Sequence, residues 1–224
     1  MTSNAIQRVY NIAFEDGGGT CFLVDVDHRQ YLITAEHVVR GFKDGDYIEI
    51  YYNGGWVKIH PKLIGHHATA DVSVLTLPEY LSGHPMEASV VDMTYGQDVY
   101  FLGFPYDFRD EKNSLINRNF PIPLIKKAIV SALLFGEKEG DYFLLDGYNN
   151  PGFSGGPVIF RSPKSRNWKV AGIISGFHNV EEPTFFEDEP TNRVIRVNTG
   201  IILAYSICNA LGIIKNNPNG IGLS

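Results

Sequence analysis

Apolar positions along the chain fall in short segments, each closed by turn residues, which is the rhythm of an all-β protein. Cys21-Phe22-Leu23-Val24-Asp25-Val26 is followed by Asp27-His28-Arg29-Gln30 and then Tyr31-Leu32-Ile33, a strand, a turn and a second strand. Tyr47-Ile48-Glu49-Ile50-Tyr51 and Trp56-Val57-Lys58-Ile59 flank Asn53-Gly54-Gly55, a hairpin signal. Val72-Ser73-Val74-Leu75-Thr76-Leu77 alternates as a half-buried strand does, and Pro78 ends it. Further strands are predicted over Asp98–Gly103, Ile129–Leu134, Tyr142–Leu145, Pro157–Phe160, Lys169–Ser175 and Val194–Val197.

One segment has a helical period. Ile201, Ala204, Tyr205, Cys208 and Leu211 recur at helix spacing, with Thr199 placed to cap the start and Gly212 to end it. Beyond it, Asn216-Asn217-Pro218-Asn219-Gly220 predicts a loose tail, so residues 213–224 are expected to be flexible. Leu81-Ser82-Gly83-His84-Pro85 is the candidate linker between two β units, residues 1–85 and 86–212. No internal repeat, low-complexity tract or heptad pattern interrupts this plan.

Composition narrows the class. The chain has 224 residues, 44% of them hydrophobic and 20% charged, as in an ordinary globular protein with a substantial core. A net charge of −6 argues against sequence-independent nucleic-acid binding, which requires a basic face to displace counterions. No apolar stretch approaches a membrane span, and Met1-Thr2-Ser3-Asn4-Ala5-Ile6-Gln7-Arg8 lacks the apolar core of a signal peptide. Only two cysteines are present, Cys21 and Cys208, far apart in the chain. That count suits a reducing compartment and two free thiols. A cytoplasmic protein is expected, with neither a nucleic-acid nor a membrane partner.

Three segments carry candidate chemistry: Thr34-Ala35-Glu36-His37-Val38, Ala70-Asp71-Val72-Ser73-Val74-Leu75, and Asn150-Pro151-Gly152-Phe153-Ser154-Gly155-Gly156-Pro157. A serine hydroxyl attacks a carbonyl at neutral pH only when a neighbouring imidazole takes its proton. A carboxylate then fixes the imidazole tautomer and stabilises its charged form. Glycines beside the serine allow a tight turn whose amides can converge on an oxyanion. Taken singly, each motif has a bland reading: a core histidine, a strand-start aspartate, a glycine turn. Together and in this order they do not.

The order His, Asp, Ser, with Thr34-Ala35-x-His37, Asp71-Val72-Ser73-Val74-Leu75 and Gly152-x-Ser154-Gly155-Gly156-Pro157, resembles the chymotrypsin/trypsin-like serine peptidases. Gly19-Thr20-Cys21-Phe22-Leu23-Val24 and Val99-Tyr100-Phe101-Leu102-Gly103-Phe104-Pro105 extend the resemblance over residues 15–210. The spacings are similar to those of the compact high-temperature-requirement proteases, without room for a PDZ domain. The resemblance implies two six-stranded antiparallel β-barrels, an all-β fold with a short C-terminal α-helix. It implies His37 as general base, Asp71 as orienting acid, Ser154 as nucleophile, and the amides of Gly152 and Ser154 as the oxyanion hole. Tyr148, Ile174, Ser175, Gly176 and Phe177 would bind substrate around the primary pocket. No cofactor or metal is implied. The substrate is a protein or peptide, and a regulatory protein partner is compatible with the family.

Departures from the family pattern carry their own expectations. Val38 stands where secreted animal members have a cysteine, which leaves Cys21 without a local partner. Phe153 replaces the aspartate that pairs with a newly cut amino terminus, so activation by propeptide cleavage is not expected. Tyr148 puts no carboxylate at the pocket floor, Ile174 no histidine, and Phe177 narrows the entrance. Small or medium apolar P1 residues are expected, because burying an unpaired substrate charge is costly. His60, His66 and His67 lack the companions of a zinc set and read as solvated loop histidines. Gly17-Gly18-Gly19 lacks the Lys-Ser/Thr of a phosphate loop. Glu181 to Glu189 reads as a solvated acidic loop. The rival function is a catalytically silent trypsin-like module that binds a peptide or protein in the same groove.

Overall fold

The computed structural model describes residues 3–83, 86–108, 120–136, 140–186 and 189–222. His84 and Pro85 of the expected linker, and Glu187 and Asp188 of the acidic stretch, lie outside these residues. After one helical turn, α1 (Ser3–Ile6), the first unit contains β1 (Val9–Phe14), β2 (Gly17–Val26), β3 (Arg29–Thr34), β4 (Ile48–Tyr52), β5 (Gly55–Ile59), β6 (Lys62–His66) and β7 (Ser73–Thr76). Its antiparallel sheet runs β5-β4-β1-β2-β3-β7-β6. The predicted turns between β2 and β3 and between β4 and β5 are used as expected. Asp27, His28 and Asn53 adopt positive φ there, and Gly54 supplies the left-handed residue of the second hairpin.

The second unit contains β8 (Glu87–Ala88), β9 (Asp98–Gly103), β10 (Leu124–Leu134), β11 (Tyr142–Asp146), β12 (Pro157–Arg161), β13 (Trp168–Phe186) and β14 (Glu189–Ser206). Six strands close on themselves in the order β12-β9-β10-β11-β14-β13-β12, with β8 added parallel to β13. Two antiparallel β-barrels, the expected all-β fold, therefore make up the molecule. Closure of the second barrel removes the free edges that would otherwise invite strand pairing between molecules, whereas β5 and β6 stand at the two ends of the first sheet.

Each barrel has its own core. Tyr10, Ile12, Cys21, Leu23, Leu32, Ile48 and Leu75 fill the first, and Val99, Phe101, Val130, Phe143, Phe153, Val158 and Ile202 the second. A third cluster lies between them, joining Phe22, Val24, Ile33 and Val74 to Leu102, Phe104, Ile159 and Ile173. A fully buried side chain of this size contributes about 1.5–3 kcal/mol. The seam therefore fixes one barrel against the other, and the site lies on it.

The carboxy terminus departs from expectation. Residues 201–206 belong to β14, where Ile202, Ala204 and Ser206 alternate inward, and the helix α2 begins only at Ile207 and runs to Asn216. Ser206, not Thr199, is its cap, with Oγ accepting from the Cys208 amide at 3.2 Å. Gly212 lies inside the helix instead of ending it. Ile207, Ala210 and Ile214 face the seam between the barrels. Nor is the tail loose. Asn217 donates its side-chain amide to the Ile64 carbonyl at 3.0 Å, and β15 (Ile221–Gly222) pairs with β3 through Gln30 and Arg29. Gly220 lies against the Tyr31 ring, where a Cβ would come within 2.5 Å. These contacts tie the carboxy terminus to the first barrel.

The acidic segment is not a loop either. Glu181 and Glu182 sit in β13, which continues past the barrel as a long two-stranded arm with β14, and Glu181 pairs with Arg196 at 3.3 Å. No helix among the described residues is long and apolar enough to cross a membrane.

Both thiols are free, Cys21 buried and Cys208 exposed. Burial pushes the Cys21 thiol well above its usual range. Ellman titration of the native protein should therefore count one thiol quickly and the second only on unfolding. A count of zero after unfolding without reductant would show a disulfide instead.

Candidate active site

His37 lies on a single 3-10 turn, Glu36–Val39, directly after β3, and Asp71 lies just before β7. β3 and β7 are paired in the first barrel, with Thr34 opposite Ser73, so the two residues leave adjacent strand ends. The Asp71 carboxylate accepts twice from His37: Oδ1 from the backbone amide at 2.8 Å, and Oδ2 from ring Nδ1 at 2.6 Å. With Nδ1 donating, Nε2 is the basic nitrogen, and the imidazole is 36% exposed at the cleft.

The second barrel supplies a further donor to the same carboxylate. Ser175, on β13, donates Oγ to Asp71 Oδ2 at 2.6 Å. Burial alone would push the Asp71 pKa up. Hydrogen bonds from the His37 ring, from Ser175 and from the His37 amide outweigh burial and hold the carboxyl below its usual range. A depressed folded pKa adds stability above about pH 4, the unfolded value, and that stability is lost as pH falls through the folded one. Asp71→Asn should therefore lower thermal stability at pH 7, with the gap to wild type closing below about pH 4. Melting curves from pH 7 to pH 3 check this; a gap that persists at pH 3 would mean that the carboxylate charge contributes nothing.

Ser154 sits at the end of the Asn150–Ser154 turn, before β12. One backbone link ties it to the first barrel, Thr20 N–H to Ser154 O at 2.8 Å, and three within the second barrel hold the turn around it: Gly155 N–H to Ile174 O at 2.7 Å, Ile174 N–H to Gly156 O at 2.8 Å, and Gly156 N–H to Phe153 O at 2.8 Å. Thr20 also donates Oγ1 to Gly152 O at 2.7 Å and accepts at that oxygen from Phe104 N–H at 3.1 Å. Gly152 holds φ +100°, and a Cβ there would lie 2.5 Å from the Phe104 carbonyl, so glycine is required. Among the described residues, the N–H groups of Gly152 and Ser154 have no protein acceptor. The Ser154 hydroxyl donates to the Ser175 carbonyl at 3.0 Å.

The pocket residues divide. Ser175 takes part in the Asp71 network. Gly176 is open, with nothing near the position of a Cβ, and its carbonyl accepts from Asn149 Nδ2 at 3.3 Å. Phe177 is half-buried on β13. Tyr148 is 57% exposed, its ring beneath the Lys126 ammonium. Ile174 is the correction: its side chain is wholly buried in the second barrel with Phe143, Val158 and Ile202, so it cannot line a surface pocket. Asn149, which the motifs do not flag, is only 2% exposed and ties the serine turn to β13. Thr20 belongs to a strand motif, and nothing in the sequence signals that its hydroxyl holds Gly152.

Beside His37, a cleft of about 600 Å³ is lined by Glu36, Arg40, His66, His67 and Asp71. His66 Nδ1 meets Ser73 Oγ at 2.7 Å, and His67 Nδ1 accepts from the Thr69 and Ala70 amides at 3.2 and 2.9 Å. These rings shape the loop before Asp71; they are not simply solvated.

Residues 19–173 match the trypsin-like peptidase domain model, and the chain belongs to that family, a class of serine proteases. Among solved structures, the active form of the Rv3671c protease from M. tuberculosis superposes with a TM-score of 0.65 at 17% identity, covering 98% of this chain and 86% of that one. The HtrA-type protease AlgW with a tripeptide gives 0.63 at 21% identity, covering 96% of this chain and 61% of that one. At such identities the likeness concerns the fold. Comparison with curated proteins gives no match.

Proposed function

We propose that the protein is an endopeptidase that cleaves peptide bonds through an acyl-enzyme on Ser154. The hydroxyl swings from the Ser175 carbonyl toward His37, gives its proton to Nε2 and attacks the scissile carbonyl. Oxygen charge in the tetrahedral intermediate is held by the amides of Gly152 and Ser154. The C–N bond breaks, His37 returns the proton to the leaving amine, and the acyl group stays on Ser154 Oγ. Water, deprotonated by His37, then attacks the ester; the acid is released and Ser154 regains its proton. Asp71 keeps the proton of Nδ1 in place throughout and carries none of the traffic.

One observation carries the reading: an ionised Asp71 is bonded to His37 from one barrel and to Ser175 from the other, and the Ser175 carbonyl receives the Ser154 hydroxyl. Those four groups meet only across the seam. The expected P1 preference for small or medium apolar residues belongs to the same reading: Tyr148, 57% exposed, offers a ring and no carboxylate to a substrate cation.

A fluorophosphonate probe followed by peptide mapping tests the mechanism, and a peptide library tests P1. Labelling at Ser154 with enrichment of Val, Ala or Leu is expected. No labelling at all would favour the silent peptide-binding module, and strong selection for Lys or Arg would overturn the pocket assignment.

A further inference from the structure

Lys126 and Lys127 look alike in sequence and differ in the fold. Both are on β10, paired with Phe101 and Tyr100 of β9. Lys127 points outward to an ion pair with Asp98 at 2.9 Å, the usual fate of a strand lysine. Lys126 points the other way, on the side of Phe101, towards the Asn150–Ser154 turn. Its Nζ donates to Asn150 Oδ1 at 2.7 Å and lies over two rings, 5.1 Å from the Tyr148 centroid and 5.7 Å from that of Phe153. Among the described residues no carboxylate pairs it.

A partly buried ammonium without a counter-ion is costly unless dipoles and π faces replace its water. Here all three replacements come from the serine turn and the residues leading into it, Tyr148 to Phe153. Desolvation lowers its pKa, as expected for a cation held away from water. The other anchors of that turn are neutral: the Thr20 hydroxyl on Gly152 O, the Tyr106 amide on Pro151 O at 3.3 Å, and the Phe153 ring packed edge-on against Phe101. A charge-assisted bond is roughly twice as strong as a neutral one.

We infer that Lys126 is a positioning residue: its ammonium, through Asn150, Tyr148 and Phe153, holds the serine turn in the shape that brings the Gly152 and Ser154 amides together. This rests on the proposed role of those amides. It also supplies an internal substitute for control by a cut amino terminus, for which Phe153 leaves no carboxylate. Loosening the turn raises the cost of arranging both donors in the transition state and leaves ground-state binding nearly untouched, so the effect belongs in kcat.

The test compares wild type, Lys126→Met, Asn150→Leu, the double variant and Lys126→Arg. Full removal of one oxyanion donor costs about a hundredfold or more, so a loosened pair should cost about tenfold in kcat, with KM changed by less than about twofold. The double variant should fall no further than either single one, and Lys126→Arg should recover most of the rate. Amide exchange by mass spectrometry reads the turn independently of activity: peptides covering residues 149–156 should exchange faster in Lys126→Met, with the rest of the second barrel unchanged. Faster exchange in a protein that the probe never labels would keep the Lys126 assignment and sink the peptidase reading. Labelling and exchange both at wild-type rates in Lys126→Met would do the reverse. If exchange accelerates throughout the barrel, Lys126 is merely a stabilising residue and the inference falls.

Discussion

Ser154→Ala should lose peptide hydrolysis by a factor on the order of 10⁴ or more, with the fold unchanged. In the proposed mechanism the hydroxyl leaves its proton on His37, and alanine has no atom to attack with. Structurally the change is small. The hydroxyl makes one hydrogen bond, to the Ser175 carbonyl, worth about 1 kcal/mol at most. The clamp on residue 154 is its backbone, Thr20 N–H on its carbonyl, and that bond survives the substitution. The variant should therefore melt within a few degrees of wild type and fail to react with a serine-directed probe. Steady-state kinetics on a cleaved library peptide, beside a melting curve, separate the two effects. Hydrolysis at the wild-type rate would move the nucleophile elsewhere; a large drop in melting temperature would make Ser154 a packing residue.

Gly155→Ala should have the largest effect on stability. Gly155 holds φ +83°, a region that costs an L-residue roughly 1–2 kcal/mol. The added methyl would also sit 2.1 Å from the Thr20 carbonyl oxygen and 2.2 Å from Thr34 Oγ1. Neither can yield cheaply, because Thr34 Oγ1 already donates to that carbonyl at 2.8 Å and both belong to the paired β2 and β3. Moving them would part the seam that joins serine to histidine. A loss of roughly 4 kcal/mol or more is expected, a large share of the 5–15 kcal/mol that holds a typical domain together. Urea unfolding with an unchanged m-value checks it. Gly176→Ala is the control, since a Cβ there meets nothing within 4 Å, and it should unfold near wild type. Equal stability of the two variants would refute the steric account.

Local chemistry made the barrel strands, the hairpin turns and the three motif segments legible in the sequence. A short apolar run, Val99 to Leu102 bounded by Asp98 and Gly103, marks β9 to the residue. The order of His37, Asp71 and Ser154, with glycines at 152, 155 and 156, could be read because each requirement falls within a few neighbouring positions. Close approach to Thr20 and Phe104 explains two of those glycines, yet the need for glycine was visible before the partners were.

What the sequence left open depends on distant partners. Residues 201–211 satisfy a helical period and a strand period at once. Only the neighbours β11 and β13, which pair with Ile201–Ser206 on either side, decide that β14 continues to Ser206 and that the helix waits for Ile207. Apart from Val194–Val197, which the sequence marks as a strand, polar residues such as Glu181 and Glu182 hide the arm of β13 and β14, because a two-stranded arm exposes both faces and need not alternate. Tail residues 217–222 bury little of their own and are held by Ile64, Gln30 and Tyr31, none of them near in sequence. Lys126 and Lys127 differ only in which side of β10 faces Phe153. The sequence by itself determined the kinds of groups at the site, because chemistry and turn geometry are local. Tertiary structure decided which of them meet, since Ser175 and Thr20 owe their roles to contacts across the seam, and Asn149 and Lys126 theirs to partners within the second barrel that only its closed sheet brings near.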